Sequence, residues 1–314
     1  MKLDITFGPF TGDPRQITEL AILAERLGYS TAWITHDPLW DNSWIICGSI
    51  GYATNTLKIG PAIVNPYSSS LVEIAMAATT LNNLTGGRAL LGFGPGSKKM
   101  LGESGLQHVN LLSTMDQSIK YLKKALSPST SNLKQKTSTP ISIYFGCQSP
   151  KLLERVGMWG VGGLILLTPP SYGAEALRLI RRGAVEAGHQ NTEGEIIASI
   201  LCSINRDEQE ARKAFASFII HIMEHLSPHQ LSTLQLGPAE IESLKKKYSE
   251  EGWEAIPEKI FKLGAVGLEG CYKTVEMLQT YGYNRVKVGT PLGPDKREAI
   301  NLFAEEIIPN FKDG

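Results

Sequence analysis

The chain has 314 residues, 31 Lys plus Arg against 31 Asp plus Glu, a formal net charge of zero and a pI near 7.0. That balance excludes the basic surplus that meets nucleic acid or an anionic membrane surface, and no run of about 18 apolar residues exists to span a bilayer. Four cysteines, Cys47, Cys147, Cys202 and Cys271, stand far apart without a CxxC pair, so neither a disulfide framework nor a zinc site is indicated. The opening MKLDITFGPF enters a strand directly, Leu3 to Phe7, and its apolar run is too short for a signal peptide, so a cytoplasmic location is expected. Asp13 as N-cap and Pro14 at the first helical position then start a helix whose stripe is Ile17, Leu20, Ala21, Ala24 and Leu27, with Gly28 as terminator. A second strand, Thr31 to Thr35, ends in His36-Asp37.

The third strand, Leu57 to Val64, runs into Asn65-Pro66. Ser70 with Glu73 forms a capping box, and Leu71, Ile74, Ala75, Ala78 and Leu81 recur at helical spacing up to the stop at Gly86-Gly87. Arg88 to Phe93 is the fourth strand, ending in the glycine-rich turn Gly94-Pro95-Gly96-Ser97-Lys98. Residues 127 to 139, SPSTSNLKQKTST, are polar and aperiodic and are expected as a mobile surface loop. Ile141 to Phe145 leads into Gly146-Cys147-Gln148-Ser149, and the remaining strands are Gly163 to Leu167, Ile196 to Ile204 and Arg285 to Val288. Residues 226 to 265, with Pro228, Pro238, Lys245-Lys246-Lys247 and Gly252-Trp253, break the repeat and are expected as a helical insertion, its lysines a solvated face. Eight apolar strands separated by amphipathic helices imply a parallel sheet covered on both faces, and the α/β class expected is a (β/α)8 TIM barrel forming a single domain over residues 1 to 314.

Barrels carry their chemistry at the C-terminal ends of strands, which selects Thr6, His36, Asp37, Asn65, Gly94 to Lys98, Gly146 to Ser149, Thr168, Asn205 and Thr290. This set is short and mostly uncharged, which suits a bound organic cofactor that performs the difficult step itself, with hydride transfer as the natural reaction class. His36-Asp37 is the only His/carboxylate pair at a strand end and is a candidate proton source, against a reading as structural His and capping Asp. Gly94, Gly96, Ser97 and the turn Gly146, Cys147, Gln148, Ser149 are phosphate or ribityl candidates, because glycine lets backbone N–H groups approach an anion, although tight turns alone also explain them. His108, His189, His221, His225 and His229 form no ligand pattern, and no metal site is expected.

The ordered set AWITHDP, IGPAIVNPY, TGGR, LGFGPGSK, ISIYFGCQSPKLLERVG and GTPLGPDKREAINLFAEEIIP resembles the luciferase-like flavin and deazaflavin oxidoreductases over nearly the whole chain, closest to methylenetetrahydromethanopterin reductases. The resemblance implies a bacterial-luciferase-like barrel that uses coenzyme F420 to pass hydride to or from a one-carbon unit on a small tetrahydromethanopterin-like pterin, and a homodimer or larger assembly. It also implies that Ala62, Ile63, Val64 and Asn65 support the cofactor's central ring, with a bulge whose cis peptide would be Ala62-Ile63. The chain departs from the family at three places. The order His36-Asp37 is reversed, Thr6 stands where the reductases have a glutamate that assists opening of the pterin ring, and Ser97 replaces a frequent acidic residue. His36, Asp37 and Thr6 are therefore the catalytic candidates. Two alternatives stay open: an FMN-dependent monooxygenase on the same barrel, and a catalytically silent cofactor-binding paralogue.

Overall fold

The computed structural model describes residues 1–189, 195–226, 231–232 and 234–311; Pro228 and His229, singled out above, lie outside them. All eight expected strands form, as β1 (Lys2–Phe7), β2 (Thr31–Ile34), β3 (Lys58–Pro61), β4 (Leu91–Phe93), β5 (Ile143–Cys147), β6 (Gly162–Leu167), β7 (Ile196–Ser203) and β9 (Arg285–Leu292). Unforeseen is β8 (Ala265–Val266), a parallel partner of β7 that is two residues long and too short to carry a period. Hydrogen-bonded neighbours follow the order β3, β2, β1, β9, β7, β6, β5, β4, and the two ends of that path meet through the parallel bridges Ile59 to Ala89 and Val64 to Phe93. The strands are joined by helices α1 (Pro14–Arg26), α2 (Ser43–Ala53), α3 (Leu71–Leu84), α4 (Lys98–Glu103), α5 (Leu111–Ala125), α6 (Pro150–Trp159), α7 (Gly173–Glu186), α8 (Glu208–Ile222), α9 (Pro238–Glu251), α10 (Glu258–Phe261), α11 (Gly267–Tyr281) and α12 (Lys296–Leu302). Eight parallel strands with helical crossovers and a closed ladder make the (β/α)8 barrel. No helix among the described residues is long and apolar enough to cross a membrane.

The caps read from the sequence are in place. Asp13 accepts from the Arg15 and Gln16 amides while the Gln16 side chain returns to the Asp13 amide, and Ser70 and Glu73 close the same reciprocal box on α3. Ile17, Leu20, Ala21 and Ala24 of α1 are buried, and the chain leaves the helix through Gly28 at φ 82°.

Contacts divide the chain into two compact units, the first Asp4–Ile165 with Ala176–Ile197, the second Met1–Leu3, Leu166–Glu175 and Ala198–Gly314. In the first, Trp33 is fully buried, donates its Nε1–H to Asp4 Oδ2 at 2.8 Å and meets the Tyr144 ring edge-on at 5.4 Å. Leu90, Leu164 and Ile197 complete this cluster, and Ala62 and Ile63 rest on it. The Arg88 guanidinium fastens the start of β4 by donating to the carbonyls of Gly51, Thr54, Leu57 and Thr85 and to Thr54 Oγ1. Glu25 Oε1 accepts from the amides of Asn55, Thr56 and Leu57 and so holds the turn that enters β3. Residues 127–139 contain no helix or strand, and Asn82 of α3 donates to Thr137 Oγ1 at 2.5 Å and Thr139 Oγ1 at 3.2 Å. In the second unit, Phe215, Ile219 and Met223 pack with Ile241 and Leu244 of α9 and Ile260 of α10. The helices expected over 226–265 include α9 and α10, and Lys246 and Lys247 are exposed.

Candidate functional site

β3 leaves the ladder after Pro61, passes through a cis Ala62–Ile63 peptide as the resemblance implied, and rejoins β4 at Val64. Val64 N–H donates to the Gly92 carbonyl and Gly94 N–H donates to the Val64 carbonyl, both at 3.0 Å, so the bulge is locked to the glycine-rich end of β4. Asn65, only 1% exposed, turns the chain into α3 by accepting from the Tyr67 and Ser68 amides at 3.0 and 2.9 Å.

The three loops selected from the sequence converge on Ile63. A methyl group on Gly94 would lie 2.5 Å from the Gly146 carbonyl oxygen and closer still to Ile63 Cδ1. One on Gly146 would lie 2.7 Å from Ile63 Cγ2, and one on Gly96 would lie 3.3 Å from Asn65 Nδ2. Glycine at these positions is thus a matter of space, and the backbone of 94–96 and 146 comes within reach of whatever lies on Ile63. Gly96 also has φ 74°, a conformation that L side chains rarely adopt.

The polar groups around this cradle differ from expectation in detail. Ser97 is the N-cap of α4, its Oγ accepting from the Met100 amide at 3.5 Å. Ser149 is the N-cap of α6 by position, yet its hydroxyl makes no capping bond, and its carbonyl accepts from the Leu152 and Leu153 amides instead. Cys147 is the last residue of β5 rather than a loop residue; it is 7% exposed, and burial pushes its thiol pKa up, so it offers no thiolate. Gln148 is half-buried and Ser149 exposed. Thr168, Asn205 and Thr290 fall in the second unit; Asn205 donates to Glu298 at 2.9 Å, and Thr168 Oγ1 is buried without a hydrogen-bond partner.

The catalytic candidates lie at the ends of β1 and β2. Thr6 is 6% exposed, and its Oγ1 is buried with no hydrogen-bond partner, a position proteins seldom leave unpaired unless a ligand supplies the partner. Asp37 is half-buried with no hydrogen-bond or ion-pair partner for its carboxylate among the described residues, and burial raises its pKa to about 6. Burial lowers the pKa of His36, which leaves the imidazole neutral at pH 7, and its Nδ1 lies 2.8 Å from Ser43 Oγ. A pair whose pKa values are driven toward each other from both sides is suited to proton handling near neutrality.

Two side chains that carried no signal in the sequence also frame the cradle. His108 donates its Nε2–H to the Pro95 carbonyl at 2.9 Å, and its ring meets Tyr67 at 5.1 Å, tying the segment before α5 to the Gly94-Pro95-Gly96 turn. His108 stands alone in an aperiodic loop, and Tyr67 reads as part of an ordinary turn.

The sequence profile of luciferase-like monooxygenases matches residues 5–267. Among curated proteins, the chain is 27% identical to the 5,10-methylenetetrahydromethanopterin reductase of Archaeoglobus fulgidus, covering 92% of this chain and 94% of that one. It is likewise 27% identical to the enzyme of the same name from Methanolobus tindarius, covering 98% and 100%. Among solved structures, the coenzyme F420-dependent tetrahydromethanopterin reductase of Methanopyrus kandleri superposes with a TM-score of 0.87 over 99% of both chains at 24% identity.

Proposed function

The chain belongs to the luciferase-like monooxygenase family, and from that premise we propose that it is a coenzyme F420-dependent oxidoreductase exchanging hydride with a one-carbon unit on a tetrahydromethanopterin-type pterin. The observation that carries this reading is the uncharged cradle at Ile63, whose side chain already fills the space that a Cβ on Gly94 or Gly146 would take, so that only main chain edges the bulge there. It is supported by full-length likeness to proteins named 5,10-methylenetetrahydromethanopterin reductase and by the fold shared with a solved structure named as a coenzyme F420-dependent tetrahydromethanopterin reductase. The residues present fit a flat, anionic redox group. Ala62 and Ile63 form its backing, stiffened by Trp33 and Tyr144 beneath. The half-buried backbone of Gly96 and Gly146, and the uncommitted Ser149 hydroxyl at the start of α6, would hold its polar tail.

When bound, the deazaflavin supplies the hydride. The protein supplies orientation and a proton. Asp37 takes the place of the acid absent at Thr6: its carboxyl is protonated below about pH 6, and among the described residues no partner competes for that proton. The Thr6 hydroxyl, already stripped of water and unpaired, donates to or accepts from the ligand without a further desolvation cost. We read the exposed apolar side chains of α2 (Ile45, Tyr52) and α3 (Val72, Met76, Leu84) as the contact with a second copy, which sedimentation at several protein concentrations tests.

The functional test is direct. Mixing the purified protein with reduced F420 and methylene-tetrahydromethanopterin should restore deazaflavin absorbance with turnover. Absence of both F420 binding and turnover, with oxygen uptake in the presence of reduced FMN, would transfer the site to the monooxygenase reading.

A further inference from the structure

We propose that Ser43 fixes His36 as the Nε2–H tautomer, making the imidazole a permanent hydrogen-bond donor to the bound ligand and leaving Asp37 as the group that gives up the proton. This rests on the reading of the site given above, and it assigns two separate roles to a His-Asp pair that the sequence presents as equivalent candidates.

Ser43 is 0% exposed and is the first residue of α2, and its Oγ lies 2.8 Å from His36 Nδ1. Among the described residues this is the only hydrogen bond the hydroxyl makes. Its single proton therefore has one acceptor, the Nδ1 lone pair. The opposite arrangement, with Nδ1–H donating, would leave a fully buried O–H with nowhere to point, which native proteins rarely tolerate. The helix adds a second, independent preference. Asn42 caps α2 by accepting from the Trp44 and Ile45 amides, and the eleven-residue helix directs its positive end toward His36. A lone pair on Nδ1 is favoured there and an imidazolium is not, in the same direction as the burial that already lowers the His36 pKa.

The chemical consequence follows from the two ring nitrogens. With Nδ1 accepting from Ser43, the only proton on the ring is on Nε2, on the side away from α2. A neutral imidazole that loses this proton becomes an imidazolate, so His36 is not the acid. It can hold an acceptor atom of the ligand, a ring carbonyl oxygen or an electron-rich ring nitrogen, in place by donation. The proton delivered during turnover leaves the carboxyl of Asp37, which becomes a carboxylate and is reprotonated from water. Ser43 is a positioning residue: it touches neither ligand nor reacting atoms and acts through His36.

The tautomer is read without any cofactor. Long-range nitrogen-proton spectra of histidine-labelled protein near pH 7, with His36→Gln assigning the His36 lines among the six histidines, should show Nδ1 bare and Nε2 protonated. A protonated Nδ1 in the wild type overturns the proposal. In Ser43→Ala the Nδ1 resonance should move, KM for F420 should rise about fivefold and kcat fall about tenfold as the Nε2 donor is no longer fixed, and Ser43→Thr should restore all three. An Nδ1 line unmoved in a folded Ser43→Ala protein overturns it as well, and if Ser43→Ala fails to fold, the wild-type and Ser43→Thr spectra still decide. If the tautomer is as stated but F420 neither binds nor turns over, the functional reading fails, and of this inference the Ser43-fixed Nε2–H tautomer is kept while the ligand roles of His36 and Asp37 are overturned.

Discussion

Replacing Gly146 by Ala places a methyl group 2.7 Å from Ile63 Cγ2, 3.4 Å from its Cδ1 and 3.7 Å from its Cβ, so every close contact is with one side chain. Overpacking of this kind costs about 1–3 kcal/mol. Because the side chain that must yield is the one that backs the cofactor, we expect the cost to appear in cofactor affinity, as about a tenfold to hundredfold rise in the F420 dissociation constant. Ile63→Ala removes Cγ2 and Cδ1 and leaves only an ordinary contact at 3.7 Å. It weakens binding by itself through loss of the backing, but in the double variant Gly146→Ala adds little further, giving a coupling energy of about 1–2 kcal/mol. Gly94→Ala is the control. Its methyl meets the Gly146 carbonyl oxygen at 2.5 Å as well as Ile63, so Ile63→Ala cannot relieve it. Fluorescence titration of F420 against the four proteins of the cycle and against Gly94→Ala, with melting temperatures recorded alongside, measures this. Strictly additive effects of Gly146→Ala and Ile63→Ala, or wild-type affinity in Gly94→Ala, would refute the convergence of the three loops on one ligand.

Further outcomes concern Asp37, Thr6, Arg88 and Glu25. Asp37→Asn should lower kcat by about a hundredfold or more, and wild-type kcat/KM should fall as pH rises through about 6, a limb the variant lacks. The same group sets a stability trend: its folded pKa is raised from 3.8 to about 6, so the stabilisation is complete below 3.8 and fades as pH rises to about 6, and melting curves of wild type against Asp37→Asn should diverge across that window. Thr6→Val, which replaces an unpaired buried hydroxyl by a methyl, should leave the fold as stable or raise it by about 1 kcal/mol while reducing turnover; higher stability with unchanged kcat would remove Thr6 from the site. Arg88→Lys should destabilise by about 2–3 kcal/mol in denaturant titration, since an ammonium cannot reproduce a fork that reaches four carbonyls and Thr54 Oγ1. For Glu25, burial raises the pKa, but the amides of Thr56, Leu57 and Asn55 together outweigh it and hold it below 4.5. Its stabilisation is therefore present above 4.5 and lost as pH falls further, and Glu25→Gln should flatten the acid limb of the unfolding curve.

Most of the barrel was legible because its strands are buried on both faces and its helices begin with side chains that bond their own amides. Asp13-Pro14 and Ser70 with Glu73 announce α1 and α3 before any tertiary contact is known. Composition did not reveal β8, whose two residues pair with β7 only because the chain between α8 and α11 returns there. At the site, the apolar pattern found the strands but not all of their ends: β3 stops at Pro61 rather than Val64, β5 runs on to Cys147, and β9 runs on to Leu292, so Thr290 lies inside it. Nor could it say that Gly94 and Gly146 share Ile63, since residues 63, 94 and 146 are brought together by the closure of the sheet. Ser43 was silent for a similar reason. It lies seven residues from His36 across an irregular loop, and only the entry angle of α2 turns its hydroxyl onto the imidazole. Ser97 and Ser149 look alike in sequence as helix caps, but only Ser97 spends its hydroxyl on capping.

The central claim is that one ligand rests on Ile63 and is reached by the backbone of both glycine turns. A crystal structure of the protein soaked with F420 tests it most directly. The account predicts the deazaflavin ring against Ala62–Ile63, with its tail passing residues 94–97 and 146–149 and His36 Nε2 within hydrogen-bond distance of a ring acceptor. F420 bound elsewhere, or a ring out of contact with Ile63, Gly94 and Gly146, would contradict it.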